Sequence, residues 1–274
     1  MFSVVRFAVS CNDPGQFAEI VYAAVPVKFL IENHSTLDRP DYPLEKYDAL
    51  RDCVFVDAFR GTCADLPAFV VFRPISQQLV VSISGSASIL HIFYSLRSLR
   101  TLHPSGRGQV HTGFLHLYEG IRNLLFNAIR KGVAKYSPTE LILVGHSMGA
   151  SIVYLFMLEL LSQEDPILSG LKLCTYTFGC PRVGDSDLVE YFLALVQSFR
   201  EKFGQDAFRE YSIKGYNDGV STYTQYLPRT GQDSDRPYIS SKAYPRCLLS
   251  GLDIAISAKT PSTQSGEGCI KLRP

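Results

Sequence analysis

The stretch that decides the fold is residues 141–161, which read LILVGHSMGASIVYLFMLELL. Its first four residues suit a buried strand, and residues 151–161 are apolar, free of proline and glycine, and suit a helix. Between them lies GHSMG at 145–149, where the flanking glycines remove Cβ atoms that would clash in a tight strand-to-helix turn. The pattern predicts that Ser147 stands at the head of a sheet beside a helix N-terminus, where its hydroxyl can act as a nucleophile.

Strand and helix patterns alternate on both sides of this stretch. Residues 114–133 carry apolar side chains at helical spacing and predict an amphipathic helix, while residues 32–66 are mixed and suggest loops with a capping helix. The predicted strands are Ala68–Phe72, Leu79–Ile83, Leu141–Val144, Leu171–Phe178 and Glu210–Lys214, and the predicted helices are Phe17–Ala24, Phe114–Val133, Ser151–Leu161 and Leu188–Phe203. This order predicts an α/β fold, with a mostly parallel central sheet and helices on both faces.

The chain divides by pattern near residue 220. Residues 1–220 contain all of the predicted strands and helices and are expected to form one domain. In residues 221–274 the hydrophobic periodicity disappears, and serine, threonine, proline and glycine recur. This atypical tail receives no structural assignment from the sequence.

Composition excludes several classes of function. A formal net charge of +1 gives no long-range field, so neither nucleic acid nor an anionic surface is expected as a partner. The longest apolar stretch outside the core pattern, residues 17–31, contains Glu19, Pro26 and Lys28, and no transmembrane segment is expected. The sequence has neither a GxxxxGK[ST] nor a GxGxxG motif, which argues against nucleotide binding.

The seven cysteines are scattered and odd in number, and none forms a CxxC pair, so neither a zinc site nor a dense disulfide framework is indicated. No metal or organic cofactor is expected. The apolar start of the chain is interrupted at Arg6 and ends at residues 12–14, which argues against a complete signal peptide. These features favour a cytoplasmic location, with secretion as the alternative.

A serine hydroxyl needs a base, usually a histidine oriented by a carboxylate. Asp218 is the candidate acid, because it follows the predicted strand 210–214 at the edge where catalytic loops of an α/β sheet collect. The other interpretation is that residues 217–219, Asn-Asp-Gly, are simply turn residues. Spacing alone leaves both interpretations open.

The chain resembles the class 3 lipases, the fungal triacylglycerol lipase family of the α/β-hydrolase superfamily. The matching segments are LVVSISGSAS (79–88), VHTGFLHLYEGI (110–121), the stretch at 141–161, YTFGCPRVGD (176–185) and EYSIKGYNDGV (210–220). The resemblance implies that Asp218 is the acid of a catalytic triad. It also implies an oxyanion hole formed by Ser86 and by the backbone N–H of Met148. Ser84 stands where the family usually has arginine, a departure that leaves the oxyanion donor in place but bears on how its loop is held.

Beyond Ser86 the family places a short mobile lid. Here that stretch is residues 87–94, ASILHIFY, which is apolar enough to open onto a lipid surface. A buried core helix explains the same pattern equally well. Interfacial activation is therefore one of two interpretations.

The resemblance stops at Val220, and no histidine follows Ser147. The six histidines are His34, His91, His103, His111, His116 and His146. The family's general base should lie after Asp218, so one hypothesis is that residues 221–274 are an altered end that also lacks the last element of the fold. The expected function is a serine ester hydrolase acting on acylglycerols or related lipid esters. The alternative is a catalytically impaired lipase-like protein that binds lipid or a partner.

Overall fold

The computed structural model describes residues 13–85, 99–168 and 170–215, together with two short strands in the tail. In chain order the strands are β1 (Val54–Arg60), β2 (Pro67–Arg73), β3 (Gln78–Ile83), β4 (Arg100–Leu102), β5 (Gln109–His111), β6 (Glu140–His146), β7 (Lys172–Phe178), β8 (Phe208–Gly215), β9 (Ile254–Ala258) and β10 (Gly268–Ile270). Ser86, Asp218 and the lid candidate 87–94 lie outside the described residues.

Eight of these strands form one sheet, in the order β1-β2-β3-β6-β7-β8-β9-β10, and β4 pairs only with β5. The four central strands, β3, β6, β7 and β8, run parallel, and the outer strands are antiparallel. His146 is level with Phe178, and Phe178 with Ile213. Because the central strands are parallel, their carboxyl ends meet at one edge of the sheet. Ser147 directly follows β6 and therefore lies at that edge.

Helices cover both faces of the sheet, as the sequence predicted. They are α1 (residues 13–20), α2 (Val27–Glu32), α3 (His34–Leu37), α4 (Thr112–Tyr136), α5 (Met148–Gln163) and α6 (Ser186–Phe203), with short 3₁₀ helices at Asp48–Leu50, Pro166–Leu168 and Gln205–Ala207. On one face α4, α5 and α6 bury residues such as Ile121 and Phe156. On the other, α1 and α2 pack around Phe17 and Phe69. Among the described helices, none combines the length and apolar content needed to cross a membrane.

Two local assignments from the sequence were wrong. The helix predicted at residues 17–24 occupies residues 13–20, and the N–H groups of Tyr22 and Ala23 bond back three residues to close a turn. Residues 54–60, expected to be loop, form the edge strand β1. A register shift between Phe55 and Asp57 interrupts its alternation, and no described strand pairs with its outer edge, so the strand pattern is weak.

The tail contributes strands that the sequence did not indicate. β9 pairs antiparallel with β8 and β10 pairs antiparallel with β9. The sheet therefore continues beyond β8, and the hypothesis of an altered end stays a prediction. The division of the chain at residue 220 remains a prediction.

Candidate active site

Ser147 adopts a strained backbone conformation between β6 and α5. Its φ of 53° and ψ of −117° lie in a region that residues with a Cβ rarely adopt. Two hydrogen bonds hold it there: its N–H donates to the Phe178 carbonyl at 2.7 Å, and its carbonyl accepts from the Ala150 N–H at 3.0 Å. The side chain is half-buried. This is the tight turn that the GHSMG pattern predicted.

The two glycines of the motif are required by close backbone contacts. A Cβ on Gly145 would lie 2.6 Å from the Gly149 carbonyl oxygen. A Cβ on Gly149 would lie 2.3 Å from the Ile83 carbonyl oxygen and 2.5 Å from that of Ser84. The start of α5 therefore packs directly on the backbone at the end of β3, and a side chain at residue 149 would force the two elements apart.

One predicted oxyanion donor, Met148, lies at the start of a helix. Met148 is buried at the first position of α5, where backbone N–H groups are free of helical partners and the helix dipole favours negative charge. The other candidate, Ser86, lies outside the described residues. Its chain neighbour Gly85 is close to the nucleophile, because a Cβ on Gly85 would be 3.0 Å from the Ser147 Cβ. Ser84 is fully buried, and its N–H donates to the Pro67 carbonyl at 3.0 Å.

Asp218 is the predicted acid of the catalytic triad. Asp218 lies outside the described residues and stays a prediction. The strand before it, β8, ends at the same edge of the sheet as β6, since Ile213 and His146 are both level with Phe178. The chain thus leaves β8 on the side where Ser147 lies.

Four of the described histidines have identifiable partners away from the Ser147 hydroxyl. His34 Nε2 contacts the Tyr47 carbonyl at 3.1 Å, and His103 Nδ1 contacts the Ser105 hydroxyl at 2.8 Å. The His111 ring packs on Phe114 with centroids 4.5 Å apart. Burial lowers the pKa of both His103 and His111, and nearby Arg100 lowers the pKa of His111 further. His146 Nδ1 lies 2.7 Å from the Tyr22 hydroxyl.

Sequence reasoning missed Tyr22. The residue lies in the turn after α1, and its hydroxyl oxygen contacts His146 and also accepts a hydrogen bond from the Gly85 N–H. Neither partner is close in the chain, with separations of 124 and 63 residues. No periodicity or local motif at Tyr22 signals these contacts.

The loop after β7 is fastened to β5 through Asp185. Its Oδ1 accepts from the Leu188 N–H at 3.0 Å and caps α6, and its Oδ2 accepts from the Gln109 N–H at 2.9 Å. The backbone repeats the link, because the Asp185 N–H donates to the Gln109 carbonyl and the His111 N–H donates to that of Val183. The YTFGCPRVGD motif thus ends on a residue that joins two elements.

We expect Asp185→Ala to destabilise the fold by about 2 kcal/mol, because a helix cap and a loop anchor are lost together. Asp187→Ala is the matched control. Asp187 lies in the first turn of the same helix, and we expect its substitution to lower the free energy of unfolding by only about 0.5 kcal/mol. Urea denaturation followed by circular dichroism measures both. Equal losses in the two variants would contradict the anchoring role.

The parallel sheet, the strained serine and the helix N-terminus beside it define an α/β-hydrolase. A family profile described as Lipase (class 3) matches residues 80–216, half of the chain. The chain belongs to the class 3 lipase family.

Individual relatives agree with this assignment. The lipase of Rhizomucor miehei is 28% identical over 148 residues, and that of Rhizopus oryzae is 33% identical over 159 residues. Each alignment covers 54% of this chain and 40% of the relative, so the chain spans less than half the length of these proteins.

Solved structures share the fold. The propeptide complex of a Rhizomucor miehei lipase deletion mutant aligns with a TM-score of 0.56 at 24% identity, covering 69% of this chain and 57% of that one. A fungal lipase-inhibitor complex, described as a model for interfacial activation, aligns with a TM-score of 0.57 at 20% identity, covering 77% and 80%.

Proposed function

We propose that this chain is a serine carboxylic-ester hydrolase of the lipase/esterase kind, acting on acylglycerols or related lipid esters. The observation that carries the proposal is the conformation of Ser147, which combines a positive φ, partial exposure and a position directly before the N-terminus of α5. Strain of this kind persists only where the surrounding structure holds it, and it is typical of catalytic positions.

In the proposed reaction, the Ser147 hydroxyl gives its proton to a base as its oxygen attacks the ester carbonyl, and the base later returns that proton to the leaving alcohol. The attack forms a tetrahedral intermediate. The Met148 N–H, together with Ser86, stabilises the oxyanion, and collapse of the intermediate releases the alcohol. Water then attacks the acyl-enzyme and releases the fatty acid. The proposed role of Asp218 is to orient a base that the sequence does not identify. No cofactor takes part in these steps.

The acylglycerol substrate is proposed from the relatives. One of them, 26% identical over 148 residues, is named secreted mono- and diacylglycerol lipase A of Penicillium cyclopium. Its name also favours the secreted alternative over the cytoplasmic location that the cysteines suggested. The apolar stretch 87–94 is in keeping with a substrate met at a lipid–water interface.

The absence of a histidine after residue 146 supports a second candidate, a lipase-like protein that binds lipid esters or a partner with little turnover. Removing the base of a serine triad typically lowers turnover by about 10⁴ to 10⁶. A chain without a base would keep the serine turn and the helix N-terminus but react very slowly.

Reaction with a fluorophosphonate probe separates the two candidates. We expect Ser147 of the wild-type protein to be labelled within minutes, and Ser147→Ala to remain unlabelled. Ser151→Ala is the control, because Ser151 lies in the first turn of α5 with a buried hydroxyl that has no partner among the described residues, and its loss should change little.

Hydrolysis of a short-chain ester is measured alongside. Labelling and hydrolysis that both require Ser147 would support the hydrolase. Folded wild-type protein that neither reacts with the probe nor hydrolyses the ester would contradict it and favour the binding protein.

A further inference from the structure

The hydroxyl of Tyr22 joins two strand ends beside the nucleophile. The Gly85 N–H, just beyond the end of β3, donates to Tyr22 Oη at 2.5 Å. His146 Nδ1, on the last residue of β6, lies 2.7 Å from the same oxygen. The rings of Tyr22 and His146 also meet edge to face, with centroids 5.7 Å apart and planes inclined by 75°. One side chain from the turn after α1 thus contacts both elements that flank Ser147.

One hydrogen bond in this group has a fixed direction. The Gly85 amide can only donate, so the Tyr22 oxygen accepts from it. In the arrangement proposed below, the single hydrogen of the phenol goes to His146 Nδ1, 2.7 Å away; a protonated Nδ1 donating to the phenol oxygen would give the same distance. In that arrangement a neutral His146 carries its proton on Nε2. Burial raises the pKa of the Tyr22 phenol despite the opposing effect of the Gly85 amide, so the donor stays protonated at neutral pH.

The space around Gly85 shows why this link affects reactivity. A Cβ on Gly85 would be 2.9 Å from Tyr22 Oη, 3.0 Å from the His146 carbonyl oxygen and 3.0 Å from the Ser147 Cβ. Gly85 is bonded to Ser86, the proposed oxyanion donor, and His146 is bonded to the nucleophile. Catalytic geometry is sensitive to displacements of about 1 Å, which can cost about a hundredfold in rate.

We propose that Tyr22 is a positioning residue of the hydrolytic site. Its hydroxyl links the Gly85 amide to His146, and so fixes the position of the chain before Ser86, the proposed oxyanion donor, relative to Ser147. This inference rests on the proposed hydrolase function. Tyr22 makes its hydrogen bonds with Gly85 and His146. It acts through the two residues that precede Ser86 and Ser147 in the chain.

The test compares Tyr22→Phe, His146→Ala and the double variant with wild type. Tyr47→Phe is the matched control, because it removes a hydroxyl that donates to Glu19 Oε2 at 2.8 Å on the same face of the fold. For Tyr22→Phe we expect kcat on a short-chain ester and the rate of fluorophosphonate labelling to fall about tenfold, with KM within about twofold of wild type. The double variant should lose less than the product of the two single effects, since both changes break one link.

Two readouts do not need turnover. Nitrogen-15 NMR of labelled histidine should show His146 with its proton on Nε2, assigned by the signal missing from His146→Ala, and this preference should weaken in Tyr22→Phe. Hydrogen exchange at the Gly85 amide should be faster in Tyr22→Phe than in wild type or Tyr47→Phe.

The outcomes separate this inference from the proposed function. Unchanged kcat and labelling in Tyr22→Phe, or His146 with its proton on Nδ1 in wild type, would overturn the positioning role. A wild-type protein without any reactivity would overturn both the hydrolase proposal and a catalytic use of Tyr22, whatever the NMR shows. A drop in reactivity matched by Tyr47→Phe would reveal general destabilisation and also count against the inference.

Discussion

Gly149→Ala is expected to destabilise the protein by about 3 kcal/mol or more and to abolish fluorophosphonate labelling. The added methyl group would lie 2.3 Å from the Ile83 carbonyl oxygen and 2.5 Å from that of Ser84. Both atoms belong to the backbone at the end of β3, so no side chain can move aside. The start of α5 would have to shift away from β3 and would carry Ser147 with it. For a domain of this size, each kcal/mol lowers Tm by about 2–4 °C.

Gly106→Ala provides the control for this prediction. Gly106 has a φ of 72° and no heavy atom within 4 Å of a Cβ built on it. Its substitution costs only backbone strain, about 1 kcal/mol, and should leave labelling of Ser147 intact. Thermal and urea denaturation of both variants compares the two costs. Equal destabilisation would show that the contact between α5 and β3 is looser than the structure places it.

Ser147→Gly should make the protein more stable than Ser147→Ala by about 1–3 kcal/mol, while both variants are unreactive. Both lack the hydroxyl, and they differ only in the Cβ that makes a φ of 53° with a ψ of −117° costly. Glycine adopts positive φ freely, although its larger entropy in the unfolded chain reduces the gain. Wild-type protein should resemble the alanine variant in stability.

Urea denaturation of the three proteins measures this difference. A glycine variant no more stable than the alanine variant would mean that the backbone at residue 147 is relaxed. The strain argument for a catalytic serine would then lose its basis, even if labelling still required the hydroxyl.

Much of the fold could be predicted because its central elements are regular and deeply buried. The β6 strand, the tight turn and α5 follow from one apolar stretch interrupted by GHSMG, and α4 follows from helical spacing. The edge strand β1 could not be predicted in this way, because only Val56 of its seven residues is buried and a register shift breaks its alternation. Apolar patterning reports burial, and an edge strand buries little.

The candidate site could be predicted from local sequence only for residues that are close together in the chain. Ser147 and Met148 lie in one motif, and the close contact between Gly149 and β3 explains why the motif has glycine there. Tyr22 was missed because its contacts bridge distant parts of the chain and leave no spacing to detect. Ser86 and Asp218 remain predictions carried by the resemblance to class 3 lipases.

The strain at Ser147 has a consequence for how the chain would change under mutation. The free energy of unfolding of a typical protein is about 5–15 kcal/mol, so strain of about 1–3 kcal/mol at one residue is a large fraction of it. In a lineage with no use for the hydroxyl, replacement by glycine would be favoured for stability alone. Serine at residue 147 thus carries a stability cost that a use of its hydroxyl would offset.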